Sequence, residues 1–156
     1  VYLPGGYPEL YLAALSANRQ MLQSIRRYVE SGGKLLAECG GMMYLCDEIR
    51  DKNGYVYPMA GVLHQSATME NMKLRLGYRT LLYNETRLKG HEFHYSRLVE
   101  QQNPLPSCAV AYTAKGVETD TPLYHYKNVW AGYTHLYWAD PVGNEWFTKF
   151  VIDGNT

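Results

Sequence analysis

The run Leu35-Leu36-Ala37-Glu38-Cys39-Gly40-Gly41-Met42-Met43-Tyr44-Leu45 constrains the fold of this chain more than any other stretch. Lys34 to Glu38 reads as a short buried strand. Gly40-Gly41 then leads into a helix whose apolar positions are Met42, Met43, Leu45, Cys46 and Ile49. A strand that passes into a helix through one residue followed by glycines is the pattern of a nucleophile elbow, in which a tight turn lifts the turn residue's side chain into an open crevice. The carboxyl end of a parallel strand is also where α/β sheets place their ligands. The amides and positive end of the helix would face the sulfur of Cys39, favouring thiolate and offering donors to an oxyanion. A buried cysteine at a strand end before a glycine turn satisfies the same pattern, so the partners of Cys39 have to decide between the two readings.

The flanking sequence alternates strand and helix. Val1 to Leu3 is a short strand broken by Pro4, Gly5 and Gly6, a loop in which glycine permits unusual backbone angles. From Asn18, Met21, Leu22, Ile25, Tyr28 and Val29 recur at helical spacing until Gly32-Gly33 stops the helix. This order predicts parallel pairing with right-handed crossovers. The second half is richer in strands: an alternating one over Lys73 to Leu82, then Gly90 to Arg97, Cys108 to Thr113, Leu123 to Tyr126 and Val129 to Tyr133, with Lys127-Asn128 as a hairpin turn. Asp140-Pro141 opens a last helix that buries Trp146, Phe147, Phe150 and Val151. Nothing divides residues 1–156, and the expectation is one α/β domain.

Composition removes several functions. Fifteen basic and fifteen acidic residues give a formal net charge of zero. Without a basic block, neither nucleic acid nor an anionic membrane is an expected partner. No apolar run reaches the roughly 18 residues of a membrane span and no secretory leader opens the chain, which predicts a cytoplasmic protein. Three cysteines without a CxxC pair fit neither a disulfide scaffold nor a cysteine zinc site. His91 and His94 point to opposite faces of a strand, so no metal is expected there. The chain lacks a Gly-x-x-x-x-Gly-Lys-Ser/Thr phosphate loop, so no cofactor is expected to bind by that route.

A thiolate nucleophile needs a base that also protonates the leaving group, most often histidine. Of five histidines, His135 in Gly132-Tyr133-Thr134-His135 follows a predicted strand and precedes the last helix, a strand-end position that suits the role. Lys73, Arg75 and Arg79 are candidate cations for a substrate carboxylate, or else the solvated face of their strand.

Five segments in register resemble the glutamine amidotransferase domain of cobyrinic acid a,c-diamide synthases. They are Leu3-Pro4-Gly5-Gly6-Tyr7-Pro8-Glu9, Ala37 to Leu45, Leu76-Gly77-Tyr78-Arg79, Gly90-His91-Glu92-Phe93-His94-Tyr95-Ser96 and Gly132-Tyr133-Thr134-His135. The sister cobyric acid synthases share the Cys and His but differ around the elbow and at His-Glu-Phe-His-Tyr-Ser. The resemblance implies a class I, flavodoxin-like layered sheet with helices on both faces. It implies that Cys39 attacks the glutamine amide with His135 as proton shuttle, that Gly6 and Gly40 hold the oxyanion, and that Gly5 shapes the loop. It further implies that ATP and Mg bind a separate N-terminal domain and that ammonia passes to a corrinoid acceptor. Many class I enzymes place a Glu two residues after the His. Here that position is Tyr137, so Asp140, Glu92 and Glu38 all stay open as a third member.

Two other functions fit a Cys elbow with a His: a cysteine hydrolase of the same fold, such as a peptidase or deglycase, and a non-catalytic interaction domain. Because domains of this type carry strand-helix units before the Pro-Gly-Gly loop, the sequence reads as an N-terminally truncated C-terminal fragment. An exposed sheet edge at zero net charge would then favour a homo-oligomer.

Overall fold

The computed structural model of the chain describes residues 1–152. In chain order its elements are β1 (Tyr2–Leu3), a 3-10 turn (Pro8–Leu10), α1 (Leu12–Ala17), α2 (Arg19–Glu30), β2 (Leu35–Glu38), α3 (Gly40–Leu45), β3 (Glu48–Arg50), β4 (Val56–Pro58) and β5 (Ser66–Thr68). There follow β6 (Arg75–Tyr83), β7 (Thr86–His94), β8 (Arg97–Leu98), β9 (Val110–Thr113), β10 (Glu118–Thr119), β11 (Leu123–Tyr126), β12 (Val129–Gly132), β13 (His135–Leu136) and α4 (Pro141–Ile152). Among the described residues no helix is long and apolar enough to cross a membrane.

The central sheet has the order β1-β2-β12-β11, with β2 parallel to both β1 and β12 and with β11 antiparallel to β12. Side-chain alternation along its strands feeds two cores. Leu35, Ala37, Val129 and Ala131 meet Leu22 and Val29 of α2 and Met42 and Leu45 of α3 on one face. Leu36 and Trp130 meet Leu81, Leu88, Trp146 and Phe150 on the other. Helices therefore lie on both faces, as the layered-sheet reading requires. An antiparallel sheet of order β10-β9-β6-β7-β13 shares the second face with α4, and a third sheet runs β4-β3-β5-β8.

Local signals account for several elements. The Asn18 side chain accepts a hydrogen bond from the Met21 amide at 3.2 Å and caps α2. Past its other end, Gly32 takes a φ of 89° and the Gly33 amide donates to the Tyr28 carbonyl. The β6–β7 hairpin turns through Asn84 and Glu85, with φ values of 44° and 65°, the pair of left-handed residues a type I′ turn demands. The Lys127-Asn128 turn joins β11 to β12 as the sequence predicts.

Three expectations need correction. The elbow helix ends at Leu45 rather than running through Ile49, which lies on β3. Its last carbonyls are claimed by another segment, the Leu45 oxygen by the Val62 and Leu63 amides and the Cys46 oxygen by the Gly61 amide. Val151 is 53% exposed, because α4 meets the core along the narrow Trp146 and Phe150 row. Met21 and Tyr28 of α2 are also exposed, and the Tyr28 hydroxyl donates to the Lys34 carbonyl instead of packing inward.

Candidate active site

The elbow is built at the junction of β2 and α3. Cys39 adopts φ 48° and ψ −109°, a left-handed conformation that a residue with a Cβ holds only under strain, commonly about 1–3 kcal/mol at functional sites. The surroundings hold it there: the Cys39 amide donates to the Gly132 carbonyl at the end of β12, and its carbonyl accepts from the Met43 amide. Gly40 is glycine because the Pro4–Gly6 loop comes so close that a Cβ would stand 2.5 Å from the Gly6 carbonyl oxygen. Gly40 is also the first residue of α3, so its N–H lies outside the helix's own hydrogen-bond ladder. The Cys39 side chain is buried, with the sulfur 3.7 Å from the Phe93 carbonyl oxygen of β7.

His135 opens β13 and pairs with His91 of β7. Its ring packs against the backbone of Gly5, where a Cβ would be 2.2 Å from the imidazole Cε1. The neighbouring Cys39 and then Glu38 raise the His135 pKa to about 9 against the opposing effect of burial. The Nδ1 atom lies 3.7 Å from Glu38 Oε2. Nε2 is the ring nitrogen turned away from Glu38 and toward the Gly5 loop.

His91 stacks on His135 with ring centroids 4.9 Å apart and an 18° interplanar angle. Burial and the charge of His135 lower its pKa, and Glu38 offsets this only in part. The two stacked rings are thus pushed in opposite directions, His135 up and His91 down. His94 projects to the other face of β7, where it stacks on Tyr133, as the strand period predicts.

The loop and elbow residues Gly5, Gly6, Gly40, Cys39 and His135, separated widely in sequence, come together. A Cβ on Gly6 would meet nothing within 4 Å, so this residue borders open space. Of the candidate cations, Arg75 and Arg79 do not join them. Arg75 pairs with Asp120 and lies, with Arg79, across from His94 and Gly90 on the β6–β7 face opposite Tyr78 and His91. Arg79 is buried against Glu92 at 2.5 Å. Lys73 precedes β6 and is exposed. What the sequence signalled least clearly is Glu38, a carboxylate in a strand whose other residues are apolar and which is buried throughout.

A mostly parallel sheet whose strand β2 ends in a strained cysteine elbow beside a histidine is an arrangement that glutamine amidotransferases share. A solved structure described as that of a glutamine amidotransferase matches with a TM-score of 0.62 at 19% identity, covering 96% of this chain and 77% of the other. Residues 1–142 match the model of the CobB/CobQ-like glutamine amidotransferase domain, and the chain belongs to that family. Relatives include a hydrogenobyrinate a,c-diamide synthase of Stutzerimonas stutzeri, 38% identical over 143 residues covering 91% of this chain and 33% of the relative. A cobyrinate a,c-diamide synthase of Fusobacterium nucleatum is 38% identical, covering 88% of this chain and 31% of the relative. A third, from Salmonella typhimurium, is 33% identical, covering 89% and 32%. The chain spans about a third of the length of these relatives.

Proposed function

We propose that this chain is the glutamine-hydrolysing part of an ATP-dependent amidoligase and supplies ammonia for amidation of the a and c carboxylates of cobyrinic or hydrogenobyrinic acid in cobalamin synthesis. The observation that carries the reading is the strained Cys39 elbow brought beside the Gly5–Gly6 loop, with the His135 ring packed against Gly5 and 3.7 Å from the adjacent Glu38. Family membership and the names of the relatives supply the substrate classes.

In this mechanism the Cys39 sulfur attacks the side-chain amide carbon of glutamine, and the carbonyl oxygen gains the negative charge. The N–H groups of Gly6 and Gly40 face that oxyanion, each such donor being worth about 3 kcal/mol in the transition state. His135 gives its proton to the nitrogen as the C–N bond breaks, releasing ammonia and leaving a γ-glutamyl thioester. The now neutral His135 takes a proton from water, which attacks the thioester and frees glutamate and the sulfur. Gly5 permits the imidazole to sit against the loop.

The residues present do not fit ATP and Mg. The phosphate loop is missing from the sequence, and the guanidinium groups of Arg75 and Arg79 are already matched by Asp120 and Glu92. Carboxylate activation is assigned to the remaining length of the protein, together with the corrinoid acceptor.

The test is incubation with glutamine and, separately, with an electrophilic glutamine analogue. Glutamate release and labelling of Cys39 are expected, both lost in Cys39→Ala, with no ATP-dependent amidation by the chain alone. Turnover of peptide or glycated substrates in place of glutamine would overturn the reading. So would an unlabelled Cys39 when the rest of a diamide synthase is supplied in trans.

A further inference from the structure

Position 137, where a carboxylate two residues beyond the histidine would stand, is a tyrosine whose ring tilts against His91 at 5.8 Å. The other open carboxylates are engaged elsewhere. Asp140 binds Lys89 at 3.0 Å, and Glu92 accepts from Arg79, Thr121 and His94 in a network on the other face of β7. Glu38 faces His135, and its two oxygens are held differently. Oε1 accepts the Leu136 amide at 3.0 Å, which ties the carboxylate to the strand that carries His135. Oε2 accepts the Tyr2 hydroxyl at 2.7 Å and lies 3.7 Å from His135 Nδ1.

In a regular strand the side chains of residues 38 and 39 would point to opposite faces. The left-handed φ at Cys39 breaks that alternation, so adjacent residues approach one imidazole, Glu38 from the Nδ1 side. We propose that Glu38, the residue immediately before the nucleophile, is the positioning carboxylate of His135, and that the Tyr2 hydroxyl sets its strength by sharing the oxygen that faces Nδ1. This rests on the glutaminase reading for its catalytic consequence, though not for the Glu38–His135 coupling itself.

The coupling follows from simple electrostatics. A buried carboxylate fixes the ring with Nδ1 protonated and turns Nε2 toward the sulfur, the job a triad carboxylate performs. Glu38 is only 3% exposed, so its charge on the ring is little screened by water. Burial, then Glu38, push the Tyr2 hydroxyl up to about 12, so it remains a donor across the working range and draws charge from Oε2. The other groups facing this cluster are Cys39 at the end of β2, His91 of β7 and Trp138 beyond β13, beside the Tyr2 side chain.

Two variants are expected to move His135 in opposite directions. An NMR pH titration of ¹⁵N-histidine-labelled protein, with His135→Gln for assignment, reads the ring directly. The wild-type His135 inflection is expected near 9. In Glu38→Gln the imidazolium loses its anion and the inflection falls by about one unit, the shift expected when one stabilising charge is removed. In Tyr2→Phe the carboxylate serves His135 alone and the inflection rises. With glutamine as substrate, Glu38→Gln loses about 10²-fold in kcat with KM little changed, a share of the usual general acid–base factor. The basic limb of its pH–rate profile follows the NMR shift.

A loss of packing alone would not displace the inflection in opposite directions. Unmoved inflections in both variants, or wild-type kcat in Glu38→Gln, overturn the proposal. If Glu38→Gln does not fold, Tyr2→Phe decides by itself: a rise supports the sharing of Oε2 and no rise refutes it. Paired shifts in a protein that does not hydrolyse glutamine would refute the proposed function and leave the coupling standing.

Discussion

A methyl group at position 5 would claim space that the His135 ring already fills, since the Cβ would lie 2.2 Å from Cε1 and 3.0 Å from Nε2. Gly5→Ala is therefore expected to push the imidazole off the Cys39 sulfur while leaving the fold intact, because the crowding atoms belong to one partly exposed side chain. A displacement of about 1 Å costs on the order of 10²-fold in rate, so kcat for glutamine should fall at least that far with an unchanged far-UV circular dichroism spectrum. Wild-type turnover would show that the ring does not need its place against the loop. The same scale shows what a sequence can and cannot disclose. Cys39 and His135 are legible because strand ends and glycine turns mark them locally. Arg75 is not, because its partner Asp120 lies 45 residues away and captures the guanidinium that a substrate carboxylate would have needed. Glu38 is visible as an acid in an apolar strand, but its direction depends on the backbone rotation at Cys39, which residue identities alone do not specify.

The β6–β7 hairpin places the site by carrying one charged cluster inward and one histidine outward. On its inner face Glu92, 1% exposed, accepts from Arg79 at 2.5 Å, from His94 at 2.6 Å and from the Thr121 hydroxyl at 2.9 Å. Burial opposes ionisation of Glu92, and the hydrogen bonds from His94 and Thr121 with the Arg79 charge overcome it, leaving the pKa below its ordinary value. A depressed carboxylate pKa stabilises the fold above the unfolded-state value and loses that contribution as pH falls through the folded one. Glu92→Gln should cost about 3–5 kcal/mol at pH 7, the range for breaking a buried pair, and the deficit should narrow below about pH 4.5 as the wild-type carboxyl takes up its proton. Urea denaturation at a series of pH values measures it, and a deficit constant across the acid range would show that charge is not what matters there. The alternation of residues 73–82 makes β6 legible, whereas the turn at Asn84-Glu85 lacks the glycine that usually marks a type I′ hairpin. The third sheet escapes the sequence for a different reason. Its strands are two or three residues long, too short for any period to register, and exist through pairings such as Ile49 with Ala67.

Across the whole molecule, the central strands connect the two cores. Leu35 and Ala37 enter the core under α2 and α3, while Leu36 between them enters the core under α4. Neither core can loosen without releasing β2 and β12, whose ends carry Cys39 and the Gly132 carbonyl that holds it. The strain at the elbow is thus borne by both cores together, and the two should unfold in one cooperative step. The tryptophans allow a direct test, since Trp130 and Trp146 lie in the second core and Trp138 packs against it. Leu45, fully buried in the first core, reports from the other side of the sheet. Leu45→Ala should destabilise by about 2–5 kcal/mol through lost contacts and the cavity left behind. If the sheet couples the cores, the tryptophan fluorescence midpoint shifts to lower denaturant by the same amount as the far-UV circular dichroism midpoint, although the nearest altered side chain is on the opposite face. A fluorescence transition that stays at its wild-type position while the circular dichroism moves would mean that the α4 core stands without the α2–α3 core. In that case the strained Cys39 would be supported from the α2–α3 side alone.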